Sequence, residues 1–296
     1  AKKANNPQMW VTTVWQLCIG LPWSWRLGPS NSSERDHLLE MLSELRDFTA
    51  LLVADAGFFG YALWSQIISS KHHFIIRVGS NVNLLKNLGY AKEQNGRVYC
   101  WPDRAAKKSQ PPLILRLIVI HNGKHPVYLV TSVLDTKELS DRDAITAYRL
   151  RWGIEVYYRH VKQTFDRTKL RSHSPENALS EANWSLLGLW AMTIHAQYLL
   201  QSQGGDPQRL SVASMLRAYR GAMNEYRCPP EKGEDLRSKV GRAILDNYER
   251  KCKASRNYPR KKQETAAGPP NITIAKRVQR KKAREIKREL EKGLTA

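Results

Sequence analysis

The segment Ala147–Phe165, AYRLRWGIEVYYRHVKQTF, carries the residue types best suited to chemistry. On a continuous helix at about 100° per residue, Tyr148, Arg151, Glu155 and Lys162 fall at about 0°, 300°, 340° and 320°, an arc of roughly 60°. A carboxylate flanked on one stripe by a guanidinium, an ammonium and a phenol suits a metal ion and a phosphodiester beneath that face. The carboxylate would hold the cation while Arg and Lys grip nonbridging oxygens. The same spacing also describes an amphipathic helix with ordinary ion pairs on its wet side, and periodicity alone leaves both readings open. Arg159 and His160 continue the cationic side, with the same two readings. Trp152, about 60° from Glu155, reads as a core anchor.

A second carboxylate stands where a strand should end. Ala50–Ala54 is a short continuous apolar run, followed by Asp55-Ala56-Gly57-Phe58. That pattern predicts a fully buried central strand with Asp55 at its C-terminal tip. Upstream, Met9–Ile19 and Trp23–Leu27 are rich in β-branched and aromatic residues around Gly20-Leu21-Pro22, which predicts a hairpin. Between hairpin and strand, the run ERDHLLEMLSEL repeats leucine at helical spacing, and Ser33 with Asp36 resembles a helix-capping pair. Beyond Asp55, Gly60–Ser69 reads as a helix and His73–Val78 as a strand. From Asn81 to Leu134 the chain is β-rich, with strands at Arg97–Trp101, Leu113–Ile120 and Val127–Leu134, joined by turns at Pro111-Pro112 and Asn122-Gly123. From Thr136 to about Leu245 it turns helical, with breaks near 172–175, 204–207 and 228–230.

The composition says what the partner must be like. The 296 residues carry a formal charge of +21 and a pI near 10.0, while 42% hydrophobic residues and nine Trp exclude a wholly disordered basic chain. Such a charge attracts polyanions, nucleic acid first and an acidic membrane surface second. Cys18, Cys100, Cys228 and Cys252 form no C-x-x-C pair and have no His cluster nearby, which argues against a zinc site or a disulfide framework and fits a reducing cytoplasm. The apolar stretch Leu186–Leu200 is too short for a bilayer span, carries His195 and Gln197, and reads as a buried helix. No histidine assembles into ligand spacing. Trp10, Trp15, Trp23, Trp25 and Trp64 read as packing residues. Residues 251–292 hold fifteen Lys and Arg against four Glu, a net of +11, and read as a solvated tail, disordered or helical only on contact, that attracts phosphates.

The spacing Y-x2-R-x3-E-x6-K, at Tyr148, Arg151, Glu155 and Lys162, resembles the YREK signature of bacterial insertion-sequence transposases in the DDE superfamily. Leu51–Phe58 resembles that family's second motif, in which an Asp ends a strand and Gly-Phe follows. The resemblance covers roughly Met9 to Leu200. It implies an α/β fold: an RNase H-like mixed sheet with flanking helices, interrupted by a β-rich insertion and followed by a helical C-terminal region. The implied organisation is a first part of the catalytic core at 1–80, the insertion at 81–135, the second part with the YREK helix at 136–203, a helical region at 204–250 and a basic tail at 251–296. Asp55 and Glu155 match two of three carboxylates that hold two Mg²⁺ or Mn²⁺ ions, and they must therefore meet in space. Tyr148, Arg151 and Lys162, with Arg159 beside them, match residues that hold DNA at the transposon end. The implied partners are terminal inverted repeats, target DNA and, in a synaptic complex, a second copy of the chain, in the bacterial cytoplasm at the nucleoid. The rivals are an RNase H-like nuclease or resolvase, which only hydrolyses, and a non-catalytic DNA-binding derivative.

The family's first Asp lies on a strand ahead of the hairpin, and no carboxylate precedes Glu34 here. The N-terminus also lacks an initiator Met and a signal-peptide core. These features lead to the expectation that the chain begins inside a longer protein, with that Asp and DNA-binding helices upstream of Ala1. Glu34, Asp36, Glu40 and Glu44 read as charges on a surface helix, and Asp135 as a turn or cap residue; none is a good substitute. A two-carboxylate site places Mg²⁺ poorly, because this ion demands near-octahedral oxygen ligation. The chain incubated with transposon-end DNA and Mn²⁺ is expected to show little or no cleavage; robust nicking that disappears in Asp55→Ala would contradict that.

Overall fold

The computed structural model describes residues 8–121, 125–227, 235–243 and 268–293. In chain order the elements are β1 (Met9–Gln16), β2 (Leu21–Pro29), α1 (Glu34–Leu42), β3 (Leu51–Ala54), α2 (Tyr61–Ser69), β4 (His73–Val78), β5 (Asn83–Lys86), β6 (Arg97–Cys100), α3 (Asp103–Lys107), β7 (Leu113–Ile120), β8 (Val127–Thr131), α4 (Asp141–Leu150), α5 (Trp152–Arg159), α6 (Pro175–Ser202), α7 (Val212–Arg227), α8 (Leu236–Ala243), β9 (Asn271–Ile274) and α9 (Arg277–Gly293). They divide into two units, one containing residues 8–31 and 152–243, the other 32–151 and 268–293.

The first unit joins the β1–β2 hairpin to helices α5 to α8. The hairpin is antiparallel, with Thr13 opposite Trp25, and Gly20 closes its turn at φ +65°, a conformation that favours glycine. Helix α6 starts where Ser174 accepts the Asn177 N–H and Pro175 occupies the first turn, and Gly204 at φ +76° follows its end. Its buried side supplies Leu186, Leu189, Ala196, Leu199 and Leu200 to a core with Tyr157 and Met215. The reading of this stretch as a buried helix holds for that face only, because Trp184, Leu187, Ile194 and Tyr198 are exposed. Trp152, read as a core anchor, is 54% exposed. It lies about 140° around α5 from the buried Tyr157, so the packed seam cannot include it.

The second unit is built on a mixed sheet of seven strands in the order β3-β4-β8-β7-β6-β5-β9. The two outer pairs, β3 with β4 and β5 with β9, are parallel, and the intervening pairs are antiparallel. This mixed α/β arrangement is consistent with an RNase H-like transposase fold. Strand β3 departs from expectation: it lies at the sheet's edge among the described residues, and Leu51 is 38% exposed. The apolar residues of the neighbouring interior strand β4 are the buried ones: Phe74, Ile75 and Ile76 are at most 1% exposed. An apolar run of four or five residues does not encode how many neighbours it will pair with, and β3 is only partly covered, with Val53 packed on the core. The strands expected between 97 and 134 all form and continue the same sheet as β3 and β4; the turn expected at Asn122-Gly123 and the break expected at 228–230 lie outside the described residues.

The basic tail is the larger correction. Residues 251–267 lie outside the described residues, but 271–274 pair in parallel with β5 as β9, and α9 follows. Ala275, Ala283 and Ile286 are at most 3% exposed and pack with Leu85, Leu88, Tyr99, Trp101 and Ala105. Charge count hid the two apolar positions at i and i+3 that dock the helix, while β9 adds backbone hydrogen bonds at the sheet edge. Cys18 and Cys100 are free thiols; Cys228 and Cys252 lie outside the described residues. Among the described residues no helix is long and apolar enough to cross a membrane.

Ile286→Ala is expected to lower the stability of the second unit by about 2 to 4 kcal/mol through lost apolar contact and a residual cavity. A urea denaturation midpoint close to that of the unaltered protein would show that α9 is not docked as described.

Candidate active site

Asp55 ends β3 and caps the short 3-10 turn Ala56–Phe58. Its Oδ1 accepts the Gly57 N–H at 2.8 Å, and a Cβ at position 57 would stand 3.0 Å from that oxygen, so glycine leaves room for the cap. Gly60, at φ +135°, admits the chain into α2 through a conformation that side chains resist. The loop is pinned from both sides. The buried Trp64 indole N–H donates to the Phe58 carbonyl at 2.9 Å. From α1, Arg35 Nε donates to the Gly57 carbonyl at 2.8 Å, and its guanidinium lies 4.7 Å from the centre of the Phe59 ring.

Glu34 is the residue that sequence reasoning passed over. It opens α1 as expected, with Ser33 capping the helix by accepting the Asp36 N–H at 3.3 Å. The fold brings its carboxyl near Asp55. Glu34 is exposed as a whole, yet partial burial of its carboxyl raises the pKa, the Asp55 carboxylate raises it further, and His37 opposes the rise. Carboxylate oxygens are the hard donors that a divalent cation takes, so the chemistry of Asp55 suits such an ion. The other acidic candidate, Asp135, accepts the Lys137 N–H at 2.8 Å, a turn contact as expected.

Tyr148 and Arg151 come from α4. Ser140 caps this helix by accepting the Asp143 N–H at 3.1 Å, and its hydroxyl donates to the Asp143 carboxylate at 2.6 Å. The start is tied to β7 by buried Arg116, which donates to the Leu139 carbonyl at 2.6 Å and lies 3.7 Å from the Asp141 carboxylate. Ala144, Ile145, Ala147 and Tyr148 pack on the cluster of Ile75, Ile118 and Leu129 that also takes Val53, two residues before Asp55. Arg151 stacks its guanidinium 5.6 Å from the centre of the Tyr148 ring. The second unit thus gathers Asp55, Tyr148 and Arg151 on elements that share one core.

Glu155, Arg159 and Lys162 belong to the first unit. Glu155 is half-buried in the first turn of α5, whereas Arg159 and Lys162 are exposed. The continuous helix expected over Ala147–Phe165 does not form. α4 stops at Leu150, α5 starts at Trp152, and His160–Thr164 is a π turn closed by the Phe165 N–H on the His160 carbonyl at 2.9 Å. Tyr157, Val161 and Phe165 all pack into one core at successive four-residue intervals. An α-helix would rotate the last about 80° off that line, and the wider π turn removes part of the drift. The narrow arc of an ideal helix therefore does not describe Lys162. Burial pushes the Tyr157 hydroxyl pKa up, with Tyr158 adding to it, so Tyr157 serves the core. Among the described residues no group of three His, Cys, Asp or Glu is placed to hold a metal ion.

An acidic residue following the end of a strand in a mixed sheet, with helix α4 packed on the same core, is consistent with the RNase H-like class of fold. The model of the family described as "Transposase DDE domain" matches residues 11–190, and the chain belongs to that family. It is also similar to "Transposase InsG for insertion sequence element IS4" of Escherichia coli (strain K12), with 28% identity over 194 residues. That match covers 62% of this chain and 43% of the relative, so the chain corresponds to less than half the length of that protein. Members of the family generally use divalent metal ions and act on DNA.

Arg35→Ala is expected to cost about 1 kcal/mol, from one exposed charged hydrogen bond and one cation–π contact, and to speed amide exchange over residues 57–60. Unchanged exchange in that loop would show that Arg35 does not hold it.

Proposed function

We propose that this chain belongs to a YREK-type DDE transposase, which cleaves DNA at the ends of a mobile element and joins the freed 3′-hydroxyls to target DNA, and that the chain by itself is inactive or nearly so because it holds only two of the three motif carboxylates, Asp55 and Glu155. The observation that carries the reading is the family match over residues 11–190, which contains every residue singled out: Asp55, Tyr148, Arg151, Glu155, Arg159 and Lys162. Asp55 and Glu155 are the proposed ligands of Mg²⁺ or Mn²⁺ in a two-metal site. When bound, such ions lower the pKa of the attacking water or hydroxyl and neutralise charge on the leaving oxygen. Asp55 is prepared for this by its cap, since the Gly57 N–H fixes one oxygen and orients the other. Tyr148, Arg151 and Lys162 hold phosphates and terminal bases of the element's end, and Arg159 adds a phosphate contact. The Arg151 guanidinium resting on Tyr148 keeps a planar, doubly donating group in one orientation, as bidentate phosphate binding requires. Pairing of two ends calls for a second copy of the chain, with the helical region from Pro207 onward as the proposed contact.

The test need not await turnover. The protein is bound to duplexes taken from the genomic sequence flanking its coding region, loaded with iron(II), and treated with ascorbate and peroxide so that the polypeptide is cut beside bound metal. Cuts near both 55 and 155, lost together in Asp55→Asn, are the expected result. Cuts near 55 without any near 155 overturn the shared metal site. DNA binding with no metal-directed cuts identifies the non-catalytic derivative, and nicking without joined 3′ ends identifies a hydrolysing nuclease or resolvase.

A further inference from the structure

Helix α9 presents two faces of opposite character. Measured from Ala283 at about 100° per residue, buried Ile286 lies at about 300°, while Arg277, Lys281, Arg284 and Arg288 lie at about 120°, 160°, 100° and 140°. These four are exposed and sit at helix positions opposite the buried seam, with the Arg284 guanidinium turned back beside Gly89. Glu291 and Glu285, at about 80° and 200°, border the stripe on either side, and Glu289, at about 240°, lies away from it. The cations recur at i, i+4, i+7 and i+11 and extend over about 17 Å, more than the width of a DNA major groove, about 12 Å. The helix is held in place before any ligand arrives: β9 pairs with β5, Ile286 is 3% exposed, Gln279 accepts the Lys276 N–H at 2.9 Å, and Arg280 Nε donates to the Ala275 carbonyl at 3.0 Å.

We propose that the outward stripe of α9 is a second DNA-binding surface, which grips the phosphate backbone of duplex DNA without reading its sequence. The proposal rests on the reading of the chain as a DNA-processing protein, and extends it to a face of the fold that the Asp55 and Glu155 motifs do not include. Charge complementarity selects the partner. Four like charges on one line repel each other, and a regularly spaced polyanion relieves that repulsion while releasing its counterions. An acidic membrane is disfavoured, because a surface helix needs a continuous free apolar face to enter lipid: Ala283 and Ile286 are spent on the core, and the exposed Val278 and Leu290 lie about 120° apart around α9. Single-stranded nucleic acid is disfavoured too, because α9 has no aromatic side chain on which a base could stack. Since α9 is already ordered, binding does not incur the folding cost of a disordered basic tail.

The experiment measures affinity for a mixed-sequence duplex by fluorescence anisotropy across a salt series. It compares the unaltered protein with an α9 triple variant (Arg277→Gln, Lys281→Gln, Arg288→Gln) and a charge-matched α7 variant (Arg217→Gln, Arg220→Gln, Arg227→Gln). Each phosphate contact contributes about 0.9 to the slope of log affinity against log salt. The α9 variant is expected to lose about 2 to 3 from that slope, and the α7 variant less. Arg277→Lys with Arg288→Lys is expected to retain the slope, because charge rather than a specific hydrogen-bond pattern is required. A steep slope in the unaltered protein that survives in the α9 variant overturns the surface while leaving the DNA-processing reading intact. No duplex binding by the unaltered protein overturns both. Tighter binding of phosphatidylserine vesicles than of duplex, abolished by the α9 substitutions, overturns the assignment of partner. Coincident thermal unfolding of all variants attributes any lost slope to charge rather than to misfolding.

Discussion

The second unit depends on β4 being paired along both edges and covered on both faces. Phe74, Ile75 and Ile76 are almost wholly buried, with parallel β3 on one side and antiparallel β8 on the other. A strand in that position cannot slip by one residue without turning its apolar set outward on one face and its neighbours inward on the other. Its register therefore fixes that of β3, with Ala54 opposite Ile76, and so fixes the point at which Asp55 leaves the sheet. The same core takes Val53 from below the Asp55 turn and Tyr148 from α4, so burial of aliphatic surface is what brings the acidic and cationic groups of this unit to one region.

Charge then works against the local structure. Partial burial, and after it the Asp55 carboxylate, disfavour ionisation of Glu34, while separate contacts hold the loop after Asp55. Arg35 reaches the Gly57 carbonyl and the Phe59 ring, and Trp64 reaches the Phe58 carbonyl, so the backbone after Asp55 is fixed by groups other than the carboxylates. A loop fixed in this way needs little reorganisation to present the Asp55 carboxylate to a ligand. The stripe on α9 shows the converse arrangement, positive charge held on a docked helix. The net charge of +21 is thus partly organised rather than merely accumulated.

Much of this was legible in the residues. Runs rich in β-branched and aromatic residues located β1 and β2, and Ser33 caps its helix as the pairing with Asp36 suggested. The Asp-x-Gly-Phe pattern marked a strand end correctly because the turn needs a cap and a residue without a Cβ at position 57. Two features misled. An ideal period cannot foresee the π turn at 160–164, since it answers to packing in the core around Tyr157. A dense run of Lys and Arg likewise concealed β9 and α9, whose docking rests on Ala275, Ala283 and Ile286.

The sequence by itself determined the family, the element types, the capped turn at Asp55 and the candidate residues Tyr148, Arg151, Glu155, Arg159 and Lys162, because local backbone preferences and short motifs are written in neighbouring residues. Only the tertiary structure decided that β3 borders the sheet, that Glu34 and Arg35 stand beside the Asp55 turn, and that the C-terminal basic segment is a docked helix with one cationic face. Those outcomes depend on contacts between residues tens to hundreds of positions apart. Burial and charge act through space, and a chain's local pattern does not specify which distant surfaces will meet.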